Sequence, residues 1–217
     1  MGQKTYAVLT GDIVNSSILS RDQYDQLIER MKGLPQTFNE VFSHSIYANI
    51  DIVRGDSWQI LAVKPSYALR FSLYLRSVCK SCFNIDSRVS IAIGTIDSLV
   101  ENSLSMSSGP AFKLSGKGLD LMQGNERMSW YDAFVSDRLL SAEKLLIRQI
   151  DNRITPSSSS QARSLTGALL GDIQAKIAET TGVAQSTVSE GLAALQWFEV
   201  SLLLEHFENI GKYADIK

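Results

Sequence analysis

The chain has 217 residues, 44% of them hydrophobic, so it can bury one large core or two smaller ones. Its formal net charge of −2 excludes a strong overall electrostatic attraction to nucleic acid or to anionic membranes. Its apolar runs are interrupted by charge well before the ~20 residues that span a bilayer. The two cysteines cannot build a disulfide framework, and the first residues lack the pattern of a secretory signal. We therefore expect a cytoplasmic protein that makes no membrane contact.

The chain opens with a strand-like run and a helix. Residues 6–10 are β-prone and lead into Gly11 and Asp12. Ser20 and Gln23 have the spacing of a capping box, which predicts a helix over about 21–42. Pro35, within that segment, is expected to interrupt it.

A hairpin, a second helix and another strand follow. Residues 46–53 and 57–63 are strand-like and meet at Arg54-Gly55-Asp56, which predicts a hairpin with Asp56 at its tip. Residues 68–83 predict a helix, and residues 88–94 a strand. The order β-α-β-β-α-β predicts an α+β fold of the ferredoxin-like type, in which two helices cover one face of an antiparallel sheet.

The character of the sequence changes after this region. Pro110 suits the first turn of a helix, and an apolar repeat from about Trp130 to Asn152 predicts a long amphipathic helix. The serine-rich segment 155–160 has the composition of a linker. We predict a ferredoxin-like domain over 1–128, a connecting helix and linker over 129–160, and a small all-α domain over 161–217.

Two aspartates are the candidate metal ligands. Asp12 follows the first strand, and Asp56 lies at the hairpin tip, so neighbouring strand ends are expected to bring their carboxylates together. Paired carboxylates suit Mg²⁺ or Mn²⁺, and such ions can bridge a triphosphate. Asn15, Ser16 and Ser17 form a loop at a helix start, where backbone amides can point at phosphate. The alternative is that Gly-Asp at both places is ordinary turn chemistry.

Several segments resemble the class III nucleotidyl cyclase superfamily. The two metal-aspartate motifs of that superfamily are similar to Gly11-Asp12-Ile13 and Gly55-Asp56-Ser57. Residues 88–94 look like its strand ending in glycine, and residues 109–117 look like its glycine-led helix. Within the superfamily, the whole chain most closely resembles the SatD family of bacterial proteins. The resemblance implies a cyclase-like domain over roughly residues 5–120, with a metal and a nucleotide as ligands.

The sequence departs from the cyclase pattern at the positions that act on the nucleotide. Lys113 and Lys117 stand where cyclases use an asparagine and an arginine to orient the ribose and stabilise the transition state. Lysine keeps the charge of arginine but loses its planar fork. Ile52 and Met106 fall at the base-reading positions, and neither can hydrogen-bond a base edge through its side chain. The resemblance therefore favours binding of a nucleotide or polyphosphate over cyclisation, with Lys113 and Lys117 as the catalytic candidates if activity persists.

Residues 177–189 have the pattern of a helix-turn-helix. Gly182 suits the turn, and apolar residues lie at the offsets that let two helices pack closely. The second helix, over about 185–195, is expected to present four polar side chains to a DNA major groove: Gln185, Ser186, Thr187 and Ser189. Acidic residues outnumber basic ones after residue 161, so the alternative is a structural or dimerising helical module.

The closing segment, 195–213, is rich in apolar residues. It either completes the core of the small domain or forms the interface of a homodimer. Three functional hypotheses follow from the whole sequence. The first is a DNA-binding regulator whose N-terminal domain binds a metal-chelated nucleotide or polyphosphate. The second is a metal-dependent nucleotide-processing enzyme, and the third is a non-catalytic interaction scaffold.

Overall fold

The computed structural model describes residues 4–101 and 103–215, without the side chains of Arg54 and of residues 210–215. In this part of the chain the protein is a mixed α+β structure with a five-stranded sheet and eight α-helices. The strands are β1 (Tyr6–Ile13), β2 (Asp51–Arg54), β3 (Ser57–Ala62), β4 (Ser87–Gly94) and β5 (Met128–Asp132). The helices are α1 (Arg21–Val41), α2 (Ala68–Phe83), α3 (Pro110–Asp120), α4 (Asp137–Ile154), α5 (Ser159–Leu169), α6 (Gln174–Thr181), α7 (Gln185–Ala194) and α8 (Trp197–Asp215).

The strands lie in the order β2-β3-β1-β4-β5. The central strand β1 is antiparallel to both β3 and β4, and Asp12 lies opposite Ser57 on one side and Arg88 on the other. The end of β1 therefore meets the beginnings of β3 and β4 at one end of the sheet. The edge strand β5 is parallel to β4, so its beginning lies at the same end. The expected sheet was wholly antiparallel, and this parallel fifth strand corrects that prediction.

Both faces of the sheet carry helices, whereas the sequence predicted helices on one face only. Ala7 and Leu9 belong to the main core together with residues of α1, α2 and α4. Val8 belongs to a second cluster with Ala111 and Phe112 of α3. Because successive strand residues point to opposite faces, α3 lies across the sheet from α1 and α2.

Helix α1 begins as predicted but does not break at Pro35. The capping box is present: Ser20 Oγ accepts from the Gln23 amide, and the Gln23 side chain accepts from the Ser20 amide. An interior proline costs a helix ~3 kcal/mol or more. Pro35 is itself buried beside Leu34 and Phe38, and this packing offsets the lost backbone hydrogen bond.

The segment after residue 128 differs from the prediction of one long helix. Trp130 lies in β5, and α4 begins only at Asp137, where Ser136 caps it. Within β5, alternate residues are buried, which is the period of a strand. In the serine-rich segment, residues 155–158 form the turn between α4 and α5, and Ser158 forms a capping box that starts α5 at Ser159. The predicted first strand of the hairpin, 46–53, is also longer than the observed one, since residues 46–50 lie outside β2.

The C-terminal helices pack on the sheet domain. Leu165 and Leu169 of α5 and Leu204 and Phe207 of α8 belong to the same core as the sheet. The two predicted domains thus share a hydrophobic core, and the exact boundaries stay a prediction. None of the helices in the described residues has the length and hydropathy needed to cross a membrane.

Most apolar side chains of the closing segment are used inside the molecule. Val200, Leu204 and Phe207 are buried, and Trp197 and Leu203 pack partly against the core. Two others, Phe198 and Leu202, are exposed. The side chain of Ile210, which belongs to the same apolar segment, lies outside the described residues. Core completion therefore accounts for most of this segment, and the homodimer stays a prediction.

Candidate functional site

A polar cleft of about 370 Å³ opens at the end of the sheet where β1 finishes and β3 and β4 begin. Two carboxylates and two guanidinium groups line it, from Asp12, Asp56, Arg88 and Arg127. The β1 end, with Ile13, Val14 and Asn15, forms another wall. The cleft therefore contains both aspartates that the sequence singled out.

The backbone holds the two aspartates side by side. The Ile13 amide donates to the Asp56 carbonyl over 3.1 Å, next to the register pair Asp12 and Ser57. Asp56 Oδ2 accepts a hydrogen bond of 2.8 Å from Ser16 Oγ. Turn chemistry explains Gly55, whose φ is 54°, but it does not explain Asp12, which lies inside β1.

Arg88 engages the carboxylate of Asp12. Its Nε donates to Asp12 Oδ1 over 2.8 Å, and its Nη2 donates to Asp12 Oδ2. These hydrogen bonds raise the pKa of Arg88, so it is fully charged. About a third of its side chain is exposed, which leaves part of the guanidinium open to the cleft. The sequence placed Arg88 in a strand without assigning it a role; its position opposite Asp12 follows only from the strand register.

Arg127 is the second cation that the sequence did not indicate. It precedes β5, and its Nη1 donates to the carbonyl oxygens of Gly124 and Glu126. The guanidinium makes no ion pair with a carboxylate among the described contacts, although it lines the same cleft as Asp12. Because β5 itself was missed in the sequence, nothing in the spacing pointed to this residue.

A buried ionic network supports the cleft from behind. Arg76 is fully buried on α2 and donates to Asp86, just before β4, and to Asp151 on α4, each over 2.9 Å. Asp151 Oδ2 in turn accepts from the backbone amide of Arg127 over 2.8 Å. Asp86 accepts from Arg76 while its carbonyl oxygen accepts from the Val14 amide over 2.9 Å. One arginine thus fixes two loops that line the cleft.

Gly11 allows the close strand packing beneath the cleft. A Cβ at this position would lie 2.4 Å from the Arg88 carbonyl oxygen and 2.4 Å from the Trp58 ring. Trp58 is completely buried, as the sequence predicted, and its Nε1 donates to Ser87 Oγ. No larger residue fits at position 11 without moving a strand.

The predicted phosphate loop is only partly at the cleft. Asn15 lines it and has a left-handed backbone, with φ of 55°. Ser16 contacts Asp56, as described above. Ser17 is exposed and is not among the cleft-lining residues.

The two lysines predicted to act on phosphate do not line the cleft of their own chain. Lys113 and Lys117 are exposed on α3, one turn apart. This helix lies on the opposite face of the sheet from α1, and the cleft-lining side chains come from other segments. The end of α3 is near the cleft, since the charge of Asp120 helps to raise the pKa of Arg88, so a ligand that extends over α3 or a second copy of the chain could bring these lysines to a ligand at Asp12.

The donor set decides which kind of cation fits the cleft. Among residues 4–101 and 103–215, no three His, Cys, Asp or Glu side chains come together in a metal-ligating group. Asp12 and Asp56 alone resemble a Mg²⁺ or Mn²⁺ site in which phosphate oxygens and water complete the coordination. Two carboxylates alone do not complete the coordination of such a cation, which would need further oxygen ligands from water or from a bound ligand.

The four side chains predicted to contact DNA are all exposed. Gln185, Ser186, Thr187 and Ser189 occupy the first turns of α7. Val188, between them, is completely buried in a cluster with residues of α5 and α6. Gly182, in the left-handed region with φ of 70°, ends α6 two residues before α7 is capped.

Comparison with known proteins gives a distant structural similarity. No protein-family model matches the chain, and no curated protein matches it. A solved structure similar to this one is a bacterial light-regulated adenylyl cyclase. The two chains share 14% sequence identity over 60% of this chain and 77% of that one, with a TM-score of 0.44.

Proposed function

We propose that the protein is a regulator that binds a nucleotide or another polyphosphate in the polar cleft and DNA through α6 and α7. The observation that carries the proposal is the presence of Arg88 and Arg127 beside Asp12 and Asp56 at one end of the sheet. The first pair offers planar donor forks to phosphate oxygens, and the second pair offers oxygen ligands to a divalent cation.

The charges of the cleft favour a ligand that carries both a cation and negatively charged groups. Its two carboxylates and two guanidinium groups cancel one another, so neither a free anion nor a free cation gains a large attraction. A chelate of Mg²⁺ or Mn²⁺ with a polyphosphate can pair its cation with the carboxylates and its phosphate oxygens with the guanidinium groups. Asp12 and Asp56 would hold such a cation, and Arg88, which hydrogen-bonds to Asp12 in the present structure, would then be free to donate to phosphate. The cation supplies charge neutralisation to the phosphate oxygens that it chelates.

Binding without turnover accounts for the arrangement better than catalysis does. Lys113 and Lys117, the residues at the positions of the cyclase catalytic pair, lie outside the cleft of their own chain. A nucleotide-processing enzyme would need to bring these lysines to the ligand, for example in a homodimer in which α3 of one copy faces the cleft of the other. The strand order supports a ferredoxin-like, cyclase-type fold for the N-terminal part, because β1 lies between β3 and β4 in antiparallel pairing.

The DNA-binding half of the proposal is carried by α6 and α7. Two short helices joined by a tight turn at Gly182 support the interpretation of this segment as a helix-turn-helix, and the exposed first turns of α7 carry amide and hydroxyl groups. Lys176, one of the few cations nearby, is paired with Asp172. We therefore expect base contacts to supply a large share of the DNA affinity, with a shallow salt dependence.

Calorimetric titration with ATP, GTP and inorganic triphosphate, each with Mn²⁺, tests the cleft. Arg88→Gln and Asp56→Ala are expected to weaken binding at least tenfold, because each removes a charged partner. Arg138→Gln, an exposed arginine on α4, is the matched control and is expected to leave affinity unchanged. Chromatography of the same mixtures separates binding from turnover. Equal binding by wild type and both cleft variants contradicts the site.

Selection of duplexes from a random-sequence pool tests the DNA-binding surface. The selected duplex is expected to bind wild-type protein and to bind Gln185→Ala at least fivefold more weakly, since one bidentate base contact contributes about 1–3 kcal/mol. Gln26→Ala, an exposed glutamine on α1, is the control. Failure to enrich any duplex at low salt, with or without triphosphate, contradicts the proposed DNA binding and has no bearing on ligand binding in the cleft.

A further inference from the structure

A second cavity, of about 470 Å³, lies between the end of α3, the strand β5 and the helix α4. Its floor includes Met128, which is nearly fully buried, and its two walls carry Leu121 and Leu145. These leucines are 54% and 67% exposed, although both line the same concave surface. The volume lies within the range of about 300–1,000 Å³ that is usual for small-molecule sites. The groove is thus large enough for a small-molecule ligand, and its two exposed leucines are in contact with solvent.

One side of this groove is cationic. Lys144 and Arg148 lie one turn apart on α4, with Leu145 between them in sequence. Lys144 Nζ stands 4.0 Å from the centroid of the Tyr131 ring, and Arg148 pairs with Glu126. Two cations and one carboxylate leave a net charge of one positive unit beside the apolar walls. The groove therefore complements a molecule that has an apolar body and a single negative charge.

Two backbone amides at the start of the exposed edge of β5, where an added peptide strand would begin to pair, already have a hydrogen-bond acceptor. Asp151 Oδ2 accepts from the backbone amides of Arg127 and Met128, over 2.8 and 3.2 Å. Addition of a strand needs such amides to be free. This contact favours a small molecule over an extended peptide as the occupant.

We propose that this groove binds a small amphiphilic carboxylate, with its hydrocarbon between Leu121 and Leu145 and its carboxylate on Lys144. The apolar walls lose water on binding, and the ammonium group of Lys144 provides a charged donor to the carboxylate. The site lies outside the polar cleft, so it stands whether or not the cleft binds a polyphosphate.

Amide chemical-shift titration of the full chain with decanoate tests the proposal. We expect saturable binding with a dissociation constant below about 1 mM, with shifts concentrated on residues 118–131 and 141–148. Lys144→Met keeps most of the length of the side chain and removes its charge, and it is expected to weaken binding about tenfold. Leu145→Glu is expected to abolish binding. Leu139→Glu, an exposed leucine on the same helix that does not line the groove, is the control and is expected to bind like wild type.

Several results would overturn the proposal. No saturable binding of decanoate removes the site, and so does binding of decanoate to Leu145→Glu with the affinity of wild type. Equal affinity for decanol and decanoate would mean that the groove does not recognise the carboxylate, and it would rule out the proposed ligand class. Shifts at residues 118–131 and 141–148 that grow with protein concentration in the absence of decanoate assign the groove to a second copy of the chain instead.

Discussion

The buried arginine of α2 gives the sharpest test of the fold that supports the cleft. Arg76 donates four hydrogen bonds, two to Asp86, one to Asp151 and one to Thr155. Replacing it with methionine keeps much of the volume and leaves two carboxylates in the interior without their shared cation. We expect Arg76→Met to destabilise the protein strongly.

The magnitude follows from what the two carboxylates retain. Breaking a buried ion pair by removing one partner costs about 3–5 kcal/mol. Asp151 keeps the amides of Arg127 and Met128, and Asp86 keeps the Ser87 amide and Lys80 at 3.5 Å. These remaining donors place the expected loss near the lower end, at about 3 kcal/mol.

Urea unfolding followed by tryptophan fluorescence measures this loss. Lys32→Met is the control, because it breaks the exposed ion pair with Glu29 and is expected to cost less than about 1 kcal/mol. A loss below about 1 kcal/mol for Arg76→Met as well, with an unchanged urea dependence, would refute the reasoning that the network holds these loops.

The same variant has a defined pH dependence. Burial by itself raises the pKa of Asp86, but the charge and hydrogen bonds of Arg76 outweigh it and hold that pKa below the usual carboxyl range. A lowered folded-state pKa stabilises the protein above the unfolded pKa of about 3.9, and this contribution is lost as the pH falls through the folded value. Because the unfolded state is the same in both proteins, the difference in unfolding free energy between wild type and Arg76→Met is expected to be largest near neutral pH. It is expected to shrink as the pH falls from the folded-state pKa of Asp86 in the variant, which is higher because Arg76 is gone, toward that of wild type.

Two further predictions concern packing and a buried acid. Gly11→Ala is expected to lower the free energy of unfolding by about 3 kcal/mol or more, because the added Cβ meets strand backbone. Gly33→Ala is the control: its Cβ would face open space in α1, and the change is expected to stabilise the protein by up to about 1 kcal/mol. Equal thermal midpoints for these two variants contradict the close approach at Gly11. Burial raises the pKa of Glu143, which accepts from Trp130 Nε1, so wild type should lose stability relative to Glu143→Gln as the pH rises above the unfolded carboxyl pKa. A pH-independent difference in unfolding free energy between the two proteins contradicts that assignment.

Local signals in the sequence predicted the elements that depend on local chemistry. The capping box starts α1, helix α2 has the predicted bounds, and Trp58 is in the core. The meeting of Asp12 and Asp56 was also predictable, because a hairpin beside the first strand brings strand ends together.

The interactions that shape the cleft lie far apart in the chain. Arg88 reaches Asp12 through strand register, and Arg76 reaches Asp151 across 75 residues. Strand β5 has only five residues, and its apolar positions also suit a helix, so periodicity favoured the wrong structure there. Without β5, neither Arg127 nor the second groove could be placed.

We propose above that the polar cleft binds a divalent cation together with phosphate. Titration of wild type and Arg88→Gln with Mn²⁺-triphosphate, and with Mn²⁺ alone, tests it most directly. We expect wild type to bind the chelate much more tightly than free Mn²⁺ and Arg88→Gln to lose most of this preference. Equal affinity of the two proteins for the chelate, or no binding of the chelate by wild type, would contradict it.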